Sequence, residues 1–377
     1  MTTALRRIEF SPYLKREPVT LALLTGLAIV FFLAVSALSR VYSAQRESLA
    51  ERWAARGVND LNAARYRPAV EDFRTALLYD RDSSAYQLSL AEALMGLHRE
   101  SEAEAYLVNV WEREPDNGLA SLQLARIATS RGETERALRF YHNAIYGTWP
   151  GNPDTAMRKA RLELIAYLMR IDARSQADAE LIDLAASSVA GDAQQQIQLG
   201  QMFAAVGDDQ RALGAFQAAL QRERRNPQAL AGAGEATFKL GMFPMAERYL
   251  ARAHALAPGD AQVARRLNMA QIVLHWDPFR PQVPVAERRR IAIEAFAASG
   301  DRLKSCAPPT QQDQALQKQW QKLEPSVTDR AIGRQPDLVD TVMQLAFDIE
   351  KQTAGNCGPQ NDADRALLLV ANLHEED

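Results

Sequence analysis

A period of 34 residues runs through the middle of the chain and constrains its fold more than any other feature of the sequence. Six consecutive copies are found, beginning at Ala50, Ser84, Gly118, about Arg158, Ala193 and Pro227. The fifth copy shows the pattern most completely, with Leu199, Gly200, Phe203, Gly207, Ala212, Phe216 and Ala219. The fourth copy is degenerate, because Ile165 stands where a small residue is expected. Such a period predicts a stack of similar structural units.

Each copy has the residues expected of two antiparallel helices in close contact. Small residues recur at repeat positions 8 and 20, and we expect them to face each other so that the two backbones approach. Gly132, Gly207 and Gly241 fall where the two helices must be joined, and glycine adopts a left-handed turn at least cost. Pro115 and Pro258 lie where the second helix should end.

This pattern resembles that of the tetratricopeptide-repeat family over residues 50 to about 260. The resemblance implies an all-α fold in which the repeats form a right-handed α-solenoid, here residues 50–275 with a capping helix. It also implies that the first helices line a groove for peptides or partner helices. Positions 2, 5, 9 and 12 would face this groove. No Lys/Asn clamp for a C-terminal carboxylate, as in chaperone-binding family members, occurs at these positions.

The groove positions supply the candidate partner-binding residues, which form a mixed and mildly apolar lining. They are Leu88, Glu92, Met95, Leu122, Arg126, Gln201, Glu235 and Phe238. For each of them, the alternative is that the side chain packs against a neighbouring repeat or faces water.

An uncharged segment from Val19 to Leu38 precedes the repeats. A helix of this length spans the hydrocarbon layer of a bilayer, about 30 Å thick, so we expect a single transmembrane helix at residues 19–39 after a basic tail at residues 1–18. Two alternatives remain. One is a buried helix of a soluble core, and the other is a signal peptide cleaved near Val35, Ser36 and Ala37.

Basic residues flank this segment almost equally. Arg6, Arg7, Lys15 and Arg16 precede it, and Arg40, Arg46, Arg52 and Arg56 follow it. The short basic tail and the ability of long domains to translocate regardless of charge favour a cytoplasmic N-terminus. The expected location is the bacterial inner membrane, with the bulk of the chain in the periplasm.

The C-terminal third lacks the repeat pattern. A helix from Ala261 to about His275 has the position of a capping helix, and the three prolines after it predict a boundary at residues 276–285. Residues 286–377 form a predicted C-terminal helical region that resembles no family. Its expected helices are Ala286–Lys304, Thr310–Leu323, Pro336–Lys351 and Ala363–His374.

The chain has two cysteines, Cys306 and Cys357, each expected in a loop after a helix. In an exported domain, such a pair predicts one disulfide. Two unpaired thiols are the alternative. The spacing, without a CxxC pair or an intervening histidine, does not favour a zinc site.

Composition and motifs argue against several classes of function. The net charge of −3 gives no electrostatic reason to expect binding to nucleic acid, which needs a clustered basic surface, and no nucleotide-binding, hydrolase or metalloprotease motif occurs. The five histidines are scattered. We therefore expect a chain that is not an enzyme and has no cofactor, metal site or small-molecule substrate.

Three hypotheses for function follow. The first is a membrane-anchored scaffold or adaptor that binds protein partners in the cell envelope. The second is an accessory subunit of a membrane enzyme or export complex, held partly by its transmembrane helix. The third is a holdase-like helper in the biogenesis of envelope proteins, for which a broad apolar groove would be required.

Overall fold

The computed structural model describes residues 17–187, 192–306 and 310–375. In these ranges the chain is helical and has no strand, so the predicted all-α fold is confirmed. The helices before the C-terminal region are α1 Glu17–Asn62, α2 Tyr66–Tyr79, α3 Ser84–Gly96, α4 Glu100–Arg113, α5 Gly118–Ser130, α6 Thr134–Tyr146, α7 Pro153–Arg170, α8 Arg174–Ser187, α9 Ala193–Val206, α10 Asp209–Arg222, α11 Pro227–Lys239, α12 Phe243–Leu256 and α13 Ala261–Trp276.

The C-terminal region contains α14 Val285–Ser305, α15 Gln311–Leu323, a 3₁₀ turn at Glu324–Ser326, α16 Asp329–Arg334, α17 Leu338–Cys357 and α18 Asp362–Leu373. The short helix α16 was not predicted. Helix α17 also runs further than expected, so that Cys357 is its last residue instead of a loop residue. The chain divides into two compact units, and the boundary between them, after Tyr167, lies within α7.

The N-terminal helix α1 is 46 residues long and joins the apolar segment to the first repeat without a break. No proline or glycine occurs between Gly26 and Gly57 to interrupt it. Between Leu21 and Leu38, the large apolar side chains are 50–71% exposed. This half of α1 is long and apolar enough to cross a membrane. Residues 1–16, most of the predicted basic tail, lie outside the described ranges.

The turn between the two helices of a repeat is the same in all six copies within the described ranges. Repeat position 15 has a positive φ, between 56° and 95°, at Ala64, His98, Gly132, Asp172, Gly207 and Gly241. In each turn, the N–H of position 16 donates to the carbonyl of position 11 over 2.8–3.0 Å. This bond is the one that closes a Schellman motif at a helix C-terminus. The 34-residue register is therefore present in the backbone.

The small residue at repeat position 8 contacts a different residue of the second helix from the one expected. A Cβ added to the position-8 glycine of the first, fifth or sixth copy would lie nearest to the large side chain at position 24, not to the small residue at position 20. The pairs are Gly57 with Phe73, Gly200 with Phe216 and Gly234 with Leu250. The small residue at position 8 therefore makes room for a ring or a leucine, and the position-20 alanines lie buried beside them.

The second unit ends in a helical assembly that packs onto α13. Helix α17 lies centrally against α14, α15 and α18, while α18 also contacts α13. The ring of Trp320 stacks on Phe296 at 4.9 Å. A disulfide joins Cys306 and Cys357, whose Cα atoms are 5.8 Å apart, and ties the end of α14 to the end of α17. His374 Nε2, just after α18, lies 3.0 Å from Oδ1 of Asp277, just after α13.

Buried charges lie beside this disulfide. The side chain of Arg302 is 1% exposed, donates to the carbonyls of Thr353 and Gly358, and has Nε 3.6 Å from Asp364 Oδ2. Glu350 is also buried, and its Oε1 has no hydrogen-bond partner in the described part of the chain. Burial raises the pKa of Glu350 to about 8, with a further contribution from Asp364.

Candidate functional site

The first helices of the second unit form a groove. Its first section, of about 360 Å³, lies between α9, α11 and α13 and receives residues from α10 and α12 at its floor. Two of the candidate residues line it, Gln201 and Glu235. The other lining residues are Phe216, Pro227, Gln228, Ala231, Gly232, Leu250, Ala253, Ala257, Asp260, Gln262, Val263 and Arg266. This section is therefore partly apolar and carries both signs of charge.

Capping residues fix the starts of the helices that form this section. The Asn226 side chain accepts a hydrogen bond from the N–H of Ala229 at 3.0 Å, which begins α11 at Pro227. Asp260 accepts from the N–H groups of Gln262 and Val263 at 2.9 and 3.1 Å, which begins α13. These caps set which residues of α11 and α13 face the groove.

A second section, of about 470 Å³, adjoins the first and shares Gln262 and Arg266 with it. It lies between α11, α13 and α18. It contains the candidate residue Phe238, whose side chain is otherwise largely buried. The other lining residues are Arg265, Met269, Pro359, Arg365, Leu368 and Leu369. We call this section, with its three arginines, the arginine pocket.

Arg266 connects the two sections. Its Nε and Nη2 donate to the two carboxylate oxygens of Glu235 at 2.7 and 2.8 Å. Its guanidinium also lies over the ring of Phe238, 4.5 Å from the centroid. Glu235 and Phe238 are therefore both held by a residue of α13, and their side chains are oriented by the fold.

The first unit contains the remaining candidates. Arg126 donates to both carboxylate oxygens of Glu163 at 2.9 and 2.6 Å. These hydrogen bonds raise the pKa of the Arg126 guanidinium above its ordinary value. The pair has the same repeat positions as Glu235 and Arg266, 9 and 6, with the charges exchanged.

The other side chains of the first unit differ in exposure. Leu122 is 3% exposed and belongs to the core. Leu88 and Met95 are half-buried, and Glu92 is exposed. Glu92 in the first unit and Gln201 in the second are thus the candidates most open to a partner.

Several groove residues were not predicted. Arg265 and Met269 lie on α13, which the sequence suggested only as a cap, although the 34-residue register continues from Ala261 and places them at positions 5 and 9. Arg365, Leu368 and Leu369 lie on α18, where no repeat pattern indicates a groove.

The side chains of the groove are suited to binding another molecule. In the part of the chain that the structure describes, none of them is arranged to coordinate a metal ion. Among those residues, no group of three His, Cys, Asp or Glu side chains is placed to hold a metal ion. The side chains that line the two sections can make hydrogen bonds, ion pairs and apolar contacts, which are the means by which helical grooves recognise protein segments.

Comparison with known protein families gives a match to one of the repeats. Residues 120–152 match the family model of the tetratricopeptide repeat. Comparison with curated proteins gives no match.

Three solved structures illustrate the likeness in architecture. YrrB, described as a tetratricopeptide-repeat protein with an unusual peptide-binding site, is 16% identical over 53% of this chain and 98% of its own, with a TM-score of 0.40. PilW, described as a type IV pilus biogenesis factor, is 17% identical over 58% of this chain and 98% of its own, with a TM-score of 0.39.

The third is the C-terminal part of a repeat protein from Cytophaga hutchinsonii, 13% identical over 83% of this chain and 98% of its own, with a TM-score of 0.43. With TM-scores below 0.5, these likenesses say nothing about what this chain binds. The chain thus carries a tetratricopeptide repeat at residues 120–152, and the left-handed turn recurs in the same register in all six copies within the described ranges.

Proposed function

We propose that this protein is a membrane-anchored scaffold of the bacterial cell envelope, which binds protein partners through the groove of its repeats. The observation that carries the proposal is the continuity of α1. The first half of this helix exposes large apolar side chains, and its last turns, residues 50–62, form the first helix of the first repeat. An exposed apolar surface of this length is stable in lipid and costly in water.

Protein partners are supported by the chemistry of the groove. Its first section combines apolar residues with Gln201, Gln228 and the oriented pair of Glu235 and Arg266. A small number of fixed polar groups on an apolar lining gives both affinity and orientation. Anchoring confines the search for a partner to the membrane surface, so a modest affinity of the groove suffices. The role requires no catalysis.

The periplasm is the compartment we propose for the repeats. The short basic segment before α1 and the length of the domain after it support export of the domain. The pairing of Cys306 with Cys357 gives independent support, because disulfides persist in oxidising compartments.

Photo-crosslinking in living cells tests the groove. A benzoylphenylalanine residue is placed at Glu92 or Gln201, which are exposed on first helices. Glu71 and Gln221 are matched controls of the same residue types, exposed on second helices. We expect discrete crosslinked proteins from Glu92 and Gln201 that are absent from both controls. Equal crosslinking from all four positions, or crosslinking from the controls alone, would contradict binding through the groove.

A further inference from the structure

The arginine pocket combines an apolar floor with charges of a single sign. The residues with charged side chains that line it are Arg265, Arg266 and Arg365. Phe238, Met269, Leu368, Leu369 and Pro359 provide the apolar part. This composition differs from that of the first section of the groove, which is lined by Glu235 and Asp260 as well as Arg266.

Two of the three arginines have donors available for a ligand. Arg266 is occupied by Glu235 and by the ring of Phe238. Arg265 is exposed and has no side-chain hydrogen bond or ion pair to any residue in the described ranges. Among the described residues, the side chain of Arg365 pairs only with Asp362, one turn earlier on α18, at 3.1 Å, with both side chains about half exposed. A pair of this kind contributes little and exchanges readily for another carboxylate.

We propose that the arginine pocket docks a protein segment in which apolar side chains are flanked by carboxylates. The apolar side chains would fill the space above Phe238, Met269 and Leu368, and the carboxylates would accept hydrogen bonds from Arg265 and Arg365. An inorganic anion would satisfy the arginines and leave the apolar floor open to water. This inference deepens the proposed function, on which it rests, by naming the chemistry of the partner.

The pocket also assigns a role to the C-terminal region. Arg365, Leu368 and Leu369 all lie on α18, which reaches the groove only because it packs against α13. The loop that contributes Pro359 is held by the disulfide at Cys357 and by the bond from Arg302 to the carbonyl of Gly358. The C-terminal helices thus complete one wall of the pocket.

Fluorescence polarisation with defined peptides tests this proposal. The full chain is held in nanodiscs of zwitterionic lipid, and three labelled peptides are compared. One has a Leu-Phe-Leu core flanked by aspartates, one has the same core flanked by lysines, and one has aspartates around a serine core. We expect the first peptide to bind at least about tenfold more tightly than the other two.

Variants then locate the site. The double variant Arg265→Glu/Arg365→Glu should lose at least about tenfold in affinity for the first peptide, and Met269→Ser should also weaken binding. Arg225→Glu is the matched control, because Arg225 is exposed and lies outside the pocket lining. Since Arg265 and Arg365 are exposed, the double variant should keep the helicity of the native chain.

Three results would overturn the proposal. The first is that the lysine-flanked peptide binds as tightly as the aspartate-flanked one. The second is that the double variant keeps its affinity for the aspartate-flanked peptide. The third is that none of the peptides binds, while the native chain binds phosphatidylglycerol vesicles and the double variant does not. The third result would reassign the pocket to anionic lipid. If the peptides fail while Glu92 and Gln201 still crosslink to partners, only the inference about the pocket falls. If the crosslinks fail as well, the proposed function falls with it.

Discussion

The ring of Phe216, on the second helix of the fifth repeat, packs directly against the backbone of Gly232, on the first helix of the sixth repeat. The same ring lies against Gly200 of its own repeat, where an added Cβ would be 2.8 Å from Cε1. One aromatic side chain therefore fixes the spacing of three helices, and it does so at the floor of the groove.

We predict that Gly232→Ala destabilises the chain by about 2 kcal/mol, because the new methyl group overlaps the buried ring of Phe216. Adding Phe216→Leu should recover part of this loss. Gly214→Ala, on α10, is the control, since a Cβ there meets no atom within 4 Å, and alanine in a helix should stabilise by up to about 1 kcal/mol. Urea unfolding of the full chain in detergent measures all three, and equal effects of the two alanines would refute the contact.

The two residue types of the Glu235–Arg266 ion pair should be exchangeable, because Arg126 and Glu163 form an ion pair with the opposite arrangement of charges at the same repeat positions. Glu235→Arg should cost about 1 kcal/mol, and Arg266→Glu in the same chain should restore most of it. The side chain of Arg266 is 36% exposed and that of Glu235 is 29% exposed, and this exposure to solvent limits the loss of stability. A double variant no more stable than the single one would show that the pair does not hold α11 and α13 together.

The left-handed turns predict a gain in stability from glycine. His98 has a φ of 57°, which costs a residue with a Cβ about 1 kcal/mol, so His98→Gly should stabilise the chain by about 0.5–1 kcal/mol. His142→Gly makes the same change within α6, and there the expected effect is a loss of about 0.5 kcal/mol. Unfolding midpoints of the two variants should move in opposite directions. A loss at both positions would contradict the turn geometry.

Glu350 makes stability depend on pH. Its pKa of about 8 in the folded state lies above the ordinary value of 4.5, so the folded chain keeps a proton that the unfolded chain releases. The contribution of protonated Glu350 to the free energy of unfolding is fully present below about pH 4.5. It decreases as the pH rises towards the folded-state pKa of about 8. Glu350→Gln should therefore match the native chain at pH 4.5 and exceed its stability at pH 9 by on the order of 4 kcal/mol.

The control for Glu350 is Glu112→Gln, which removes an exposed carboxylate from α4. Thermal unfolding of both variants between pH 4.5 and pH 9 separates the buried carboxylate from a general effect of charge. If Glu350→Gln has the same advantage at every pH, burial of a protonated carboxyl group is the wrong explanation.

The sequence predicted the repeats well because each repeat is specified by nearby residues. Glycine at position 15 in three copies was enough to locate the turn, and the same left-handed geometry then occurs at Ala64, His98 and Asp172. The contact of Gly200 with Phe216 was assigned to the wrong partner, because spacing alone does not show which side chain of the second helix reaches the glycine.

The C-terminal region was less predictable because its important contacts join distant parts of the chain. The burial of Arg302 and Glu350 depends on the packing of α14, α17 and α18. Arg365 and Leu368 look like ordinary residues of an amphipathic helix, and only the packing of α18 against α13 brings them to the groove. No local pattern in the sequence records either arrangement.

A labelling experiment that reports both membrane topology and cysteine redox state tests most directly whether α1 holds the repeats outside the cytoplasm. Intact spheroplasts are treated with a membrane-impermeant maleimide, with and without prior reduction, and labelling of Cys306 and Cys357 is followed. We expect labelling of intact spheroplasts only after reduction, because a disulfide closing a 51-residue separation would protect both thiols and stabilise the region by about 4 kcal/mol. Labelling that requires permeabilised membranes and no reductant would put the repeats in the cytoplasm and contradict the proposed location.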